Sequence, residues 1–248
     1  MNDSIVQTLG KCLPLPWRRR VKRELLLRFP SLYGMKMVRY ERSLTCDADM
    51  QALLSKLDAV LDVPGDIIEC GCFLCGTAVL MARHLRERGC DKRIYACDTF
   101  RGFEPAEFAR ERQQRNVTGT GDFTENDLRY VRRKIERLGV ADRITLVEGL
   151  FQETLDSLPG SFAFAFIDCD LHDSMLYAVR TIWPRLSPGG CCVFDDYAND
   201  AFRGATKAVD TFIAEQKPTI RDHGPLPQKL YFASKAVSDT TRHSRLPA

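Results

Sequence analysis

Apolar and polar positions alternate between two textures along this chain. Apolar-rich runs with little internal alternation occupy residues 66–70, 93–97, 143–147, 162–167 and 190–194, as in strands buried on both faces of a parallel sheet. Between them lie stretches with apolar residues at helical spacing, at about 77–88, 124–138, 174–186 and 204–216. An earlier stretch, residues 47–61, sets Met50, Leu53, Leu54, Leu57, Val60 and Leu61 on one helix face, with Asp47 at the capping position and Pro64-Gly65 as the stop. Strand and helix in strict succession predict an α/β fold with a mostly parallel sheet, right-handed crossovers and helices on both faces. Residues 218–221 and 229–232, joined by a short Gly/Pro loop, predict an antiparallel pair at one edge.

Residues 1–46 read as an N-terminal helical extension, residues 47–236 as the main domain, and residues 237–248 as a disordered tail. One connection breaks the rhythm. Residues 101–123 separate the second strand from its helix by a length usual for lids, and predict a mobile cover over the strand ends.

Acids stand where the apolar runs stop. The run at 162–167 ends in Asp168, Asp170, His172 and Asp173, and the run at 190–194 ends in Asp195, Asp196 and Tyr197. Parallel sheets bind ligands outside the carboxyl ends of their strands, so these carboxylates project into a site and avoid unpaired burial. If the two strands are neighbours, Asp168, Asp195 and Asp196 converge on one point, and three carboxylates with room for water suit magnesium.

The turn after the first strand, Glu69-Cys-Gly71-Cys-Phe-Leu-Cys-Gly76-Thr77, lets backbone approach a ligand while the next helix presents its N-terminal amides. The second strand ends in Asp98 and Thr99, where an acid accepts hydrogen bonds from ribose hydroxyls. The glycine spacing is not that of a pyrophosphate site, so a ribose-bearing ligand without phosphates, S-adenosylmethionine, fits better. Its carboxylate would meet the helix start near Thr77, its ammonium Glu69 or Asp168, and its adenine the Glu148-Gly149 turn.

Composition narrows the remainder. The 248 residues, 44% hydrophobic, suffice for one large domain. A net charge of +3 does not argue for nucleic acid, and the basic run from Arg18 to Arg23 reads as a solvated helix face or subunit contact. No apolar run spans a membrane and no secretion signal stands out, so a cytoplasmic protein is expected. The ten cysteines fall largely inside apparent strands and read as reduced core residues.

The segments PGDIIECG, YACDTFRGF, EGLFQETL, FAFIDCDLHDS and LSPGGCCVFDDY, in this order, resemble the macrocin-type O-methyltransferases that methylate sugar hydroxyls on antibiotics and related natural products. The resemblance implies a Rossmann-like class I methyltransferase with a seven-stranded sheet, S-adenosylmethionine as donor, and Mg2+ held by Asp168, Asp195 and Asp196. It also implies a small-molecule natural-product acceptor with a vicinal diol and a homodimer or higher homo-oligomer. The chain departs from the family pattern at Leu74-Cys75, usually Arg-Gly, and at His172, often Tyr. Asp170 is the candidate base and His172 its competitor, while Asp173 is expected to cap the following helix. A nicotinamide oxidoreductase is the competing enzyme class, through the Tyr130-x-x-x-Lys134 motif, and a non-catalytic binding module is the other alternative.

Overall fold

The computed structural model describes residues 14–119 and 121–237. Seven strands form one sheet in the order β3-β2-β1-β4-β5-β7-β6, with β1 Asp66–Cys70, β2 Ile94–Asp98, β3 Ile144–Glu148, β4 Phe162–Ile167, β5 Leu186–Phe194, β6 Ile220–Pro225 and β7 Tyr231–Lys235. The pairs from β3 through β5 are parallel, and β7 inserts antiparallel between β5 and β6. The mostly parallel sheet with an antiparallel edge pair is therefore as expected.

Nine helices of α type accompany it among the described residues: α1 Leu15–Arg28, α2 Arg39–Arg42, α3 Asp47–Asp58, α4 Gly76–Glu87, α5 Pro105–Gln113, α6 Leu128–Arg137, α7 Phe151–Thr154, α8 His172–Ile182 and α9 Arg203–Gln216. Every residue of β4 is buried, because one apolar cluster covers each face: Phe164 and Phe166 join one, Phe162, Ala165 and Ile167 the other. The order in which strands are added reverses between the parallel neighbours β1 and β4, whose sequence neighbours lie on opposite sides, and the ligand crevice of such sheets opens there.

Three local expectations need correction. Cys46, not Asp47, caps α3, its Sγ accepting the Asp49 amide at 3.4 Å. Asp173 lies in the first turn of α8 and does not cap it; Glu107 of α5 does so from outside, accepting the Ser174 amide at 2.8 Å and its hydroxyl at 2.5 Å. The 101–123 connection contains helix α5, which opens on Glu104 with Pro105 in its first turn. The Glu104 carboxylate accepts the amides of Ala106 and Glu107 at 3.0 and 2.6 Å. That capping signal was present in the sequence, but the nearly all-polar helix gave no apolar period to read. The expected tail lies, apart from Val237, outside the described residues, as do residues 1–13 of the extension.

Phe166 is fully buried at the centre of the sheet, so Phe166→Ala leaves a cavity. Chemical denaturation should show a loss of about 3–5 kcal/mol.

Candidate active site

The ends of β1, β2, β4 and β5 open into one cavity of about 600 Å³, bounded by the N-terminal segment at Tyr40 and Thr45, the 101–123 connection, and the β6–β7 loop at Lys229. That volume lies within the roughly 300–1,000 Å³ of small-molecule sites.

The β1 end shows why glycine is needed. Gly71 has φ +87°, and a Cβ there would stand 1.9 Å from the Asp168 carbonyl oxygen, so β4's backbone passes where a side chain would be. Glu69 is 1% exposed and lines the cavity; its Oε2 has no hydrogen-bond partner among the described residues, and burial pushes its pKa well up. Thr77 also lines the cavity and its hydroxyl meets that of Ser43 at 3.1 Å. Tyr33 donates to the Gly76 carbonyl at 2.9 Å, so the N-terminal segment is pinned to the start of α4.

At the end of β2 the Asp98 carboxylate is fixed by backbone. Oδ2 accepts the Phe73 amide at 2.8 Å and Oδ1 the Phe100 amide at 2.7 Å. Burial still outweighs these bonds and raises its pKa to about 6. Thr99 turns inward on its own loop, donating to the Gly102 carbonyl at 2.6 Å. Gly149 lines the cavity with φ +145°, whereas Glu148 is not among the lining residues and pairs with Arg101 at 3.3 Å.

The acids of β4 and β5 meet because the strands are adjacent and end level: Ile167 pairs with Phe194, and the Asp195 amide donates to the Ile167 carbonyl at 2.9 Å. The group that closes is not the expected Asp168, Asp195 and Asp196. One oxygen each from Asp168, Asp170 and Asp196 lies within 4.8 Å of the others, the one grouping of metal-compatible ligand atoms found among the described residues. Asp195 is drawn aside: its Oδ1 accepts the Asp196 amide at 2.8 Å and its Oδ2 lies 3.3 Å from Lys229 Nζ. Asp170 and Asp196 both sit in left-handed backbone, at φ 62° and 58°, which turns their side chains toward the cluster.

Crowding sets the proton affinities. Burial and the Asp195 carboxylate hold Asp168 well above the ordinary range, and burial with the Asp196 hydrogen bond does the same for Asp170. Burial and neighbouring Asp196 raise Asp195 to about 6. Asp196 is also pushed up by burial, yet ends below its usual value because its hydrogen bond with Asp170 and the Lys229 ammonium outweigh the penalty. His172 is not among the lining residues; its Nδ1 stands 2.7 Å from Asp173 Oδ1. Tyr130 and Lys134 do not line the cavity either. Lys134 is fully buried and donates to the Glu41 and Leu74 carbonyls, both at 2.5 Å, a structural clamp and not a dehydrogenase pair.

Sequence reasoning missed several lining groups. Phe103 and Phe123 pack edge to face at 5.1 Å between ring centres, Phe123 on Phe73 at 5.2 Å and Phe73 on Tyr40 at 5.6 Å, an aromatic row across the cavity wall. Their signal was faint, since single aromatics in an irregular loop carry no period.

Residues 28–221 match the model of the family described as Macrocin-O-methyltransferase (TylF). Over 149 residues the chain is 36% identical to 8-demethyl-8-(2,3-dimethoxy-alpha-L-rhamnosyl)-tetracenomycin-C 4'-O-methyltransferase of Streptomyces olivaceus, covering 58% of this chain and 57% of that protein. Over 153 residues it is 28% identical to mycinamicin III 3''-O-methyltransferase of Micromonospora griseorubida, covering 58% and 59%. The matches thus span little more than half the length of these relatives. Among solved structures, the O-methyltransferase NovP superposes with a TM-score of 0.67 at 19% identity, covering 89% of this chain and 99% of that one. The calicheamicin methyltransferase CalS11 gives 0.65 at 22%, covering 93% and 90%. At these identities the structural likeness is one of fold.

The raised acids make a pH prediction for the ligand-free, metal-free protein. A carboxyl whose folded pKa is raised destabilises the fold when ionised, and that penalty fades as pH falls through the folded value. With Asp98 and Asp195 near 6, thermal melting should give a higher Tm at about pH 5.5 than at pH 8. A Tm that only falls on acidification over this range would contradict the crowded geometry.

Proposed function

The chain belongs to the macrocin-O-methyltransferase family, and we propose that it methylates a hydroxyl of a sugar, or of another natural-product acceptor with a vicinal diol, using S-adenosylmethionine and a divalent cation such as Mg2+. The observation that carries this reading is the pairing, in one cavity, of a buried Glu69 with its Oε2 unpartnered and a backbone-fixed Asp98 with the aspartate cluster at the ends of β4 and β5. Both groups fit the residues present. Glu69 offers a buried acceptor for an ammonium, Asp98 offers acceptors for ribose hydroxyls, and three carboxylate oxygens suit a hard cation that keeps some of its water. When bound, the donor supplies an electrophilic methyl and the cation lowers the proton affinity of the acceptor hydroxyls.

The chain's own groups do the rest. Gly71 lets the ends of β1 and β4 pass closely beneath the donor site, Thr77 and the start of α4 would meet its carboxylate, and the turn at Gly149, which lines the cavity, would meet the adenine. Asp168 and Asp196 belong both to the expected ligand set and to the assembled cluster, and they would hold the cation, with Asp170 or Asp195 beside them. Each cluster residue contributes one oxygen, so Asp170 keeps a second to take the acceptor's proton. Burial and its hydrogen bond with Asp196 raise its proton affinity in the cation-free protein, the direction a proton acceptor needs. His172, engaged by Asp173 outside the lining, is the weaker candidate. The 101–123 connection acts as a lid: Glu107 and the aromatic row seal the acceptor side from water.

Charge favours a finished glycoside over a sugar nucleotide. Among the described residues, ten acidic side chains line the cavity against two basic ones, Arg110 and Lys229. Both bases are committed, Arg110 to Asp173 at 3.2 Å and Lys229 to Asp195 and Asp196. The N-terminus of α8, a natural diphosphate site, is already filled by the Glu107 carboxylate. Methylation then follows glycosyl transfer.

Two measurements test the reading. Aryl 6-deoxyhexosides and the corresponding nucleoside-diphosphate sugars are offered with S-adenosylmethionine and Mg2+, and products are read by mass spectrometry; the glycosides should be preferred by about 100-fold in kcat/KM. Asp170→Asn should lower kcat by about 10²–10⁴-fold while calorimetry shows donor affinity within about twofold of the parent. Donor binding without methylation of any acceptor defeats the assignment, and methyl transfer that survives excess chelator removes the cation alone.

A further inference from the structure

The β6–β7 loop brings a cation to the acids. Lys229 Nζ lies 2.6 Å from Asp196 Oδ1 and 3.3 Å from Asp195 Oδ2, at the edge of the cavity, with 34% of its side chain exposed. It is held there by backbone. The Lys229 carbonyl accepts the Tyr197 amide at 2.8 Å, and the loop is closed by the Leu226 amide donating to the Leu230 carbonyl at 2.8 Å. Asp49 of α3 is 1% exposed with an unpartnered Oδ1; burial raises its proton affinity and the charge of nearby Lys229 opposes that rise. The lysine is therefore surrounded from three elements by carboxylates: Asp168 after β4, Asp195 and Asp196 after β5, and Asp49.

Adjacent buried carboxylates repel and lack solvent, so removing a counter-charge that sits between them leaves an uncompensated buried pair. We propose that Lys229 is the resident counter-ion of this cluster: its ammonium holds Asp195 and Asp196 together before any divalent cation arrives and then opposes that cation electrostatically. Within the cluster that closes, Asp168, Asp170 and Asp196, Lys229 contacts Asp196 at 2.6 Å, so its ammonium and a bound cation would share that carboxylate, while the oxygens of Asp195 are engaged by Lys229 and by a backbone amide. The proposal rests on the reading that the aspartates take a divalent cation. Lys229 is accordingly a positioning residue that sets how tightly the cation binds, a role distinct from proton or methyl transfer.

The test compares the full chain with Lys229→Met, Lys229→Gln and Lys229→Arg, using Mg2+ and Mn2+ alone as probes in calorimetry and melting in chelator as a second readout. The Met and Gln variants should bind the metal about tenfold more tightly, because a nearby positive charge is gone. They should melt lower than the parent in chelator, with the gap closing at saturating Mg2+. Arg should keep metal affinity within about threefold of the parent. Unchanged or weaker metal binding by folded Met and Gln variants overturns the proposal while leaving the cation site intact. Failure of the parent itself to bind either metal overturns the cation reading beneath it, and this proposal with it.

Discussion

Bringing like charges together at the mouth of a hydrophobic sheet is the constraint on which the rest of this molecule depends. β4 and β5 are buried along the length that leads to the site, so the acids that follow them emerge side by side in a poorly solvated space. In a medium of low effective dielectric such a group is held only if each carboxylate finds a partner. The partners are specific: backbone amides for Asp98 and Asp195, the Lys229 ammonium for Asp195 and Asp196, and a hydrogen bond between Asp170 and Asp196. One oxygen of Glu69, in the cavity wall, has no such partner among the described residues. A cavity lined by an unsatisfied acceptor and crowded carboxylates favours positive charge.

The cover over this site uses the same economy of charge. Residues before β1 contribute Tyr40, Ser43, Leu44 and Thr45 to the lining, and they are tied down by Tyr33 on the Gly76 carbonyl and by Lys134 on the Glu41 carbonyl. Gly76 is needed at the contact, since a Cβ there would come within 1.9 Å of the Arg42 carbonyl oxygen. From the other side α5 places Glu107 on the amide and hydroxyl of Ser174. Arg19 and Tyr40 both bind Glu125, which joins α1 to the end of the same connection. Two segments remote in sequence thus border the cavity and are held by contacts with each other and with helix starts, and their aromatic rings pack in a row along its wall.

The reading from sequence went furthest where a short-range pattern had one structural meaning. Unbroken apolar runs marked the buried strands, and the acids at their ends had to lie on the carboxyl edge of the sheet, so Asp98, Asp168, Asp170, Asp195 and Asp196 were all picked out and all line the cavity. Glu148 and His172 failed to join them: Glu148, the last residue of β3, pairs outward with Arg101, and His172, the first residue of α8, is engaged by Asp173. Helix α5 escaped notice for want of an apolar face, and Lys229, in the Pro-containing turn between β6 and β7, carried no local sign of what it would meet.

The sequence by itself determined the layers, the parallel core with its antiparallel edge, and the carboxyl end at which the acids gather, since strand period, helix period and turn residues act over a few neighbours. Tertiary structure alone decided which oxygens come within 4.8 Å, which carboxylates Lys229 pairs with, and which helix start Glu107 fills. Those outcomes depend on the level ends of β4 and β5, on left-handed backbone at Asp170 and Asp196, and on a loop arriving from the far edge of the sheet. Each is a long-range coincidence of position that only the assembled core can fix, because no interaction among near neighbours selects it.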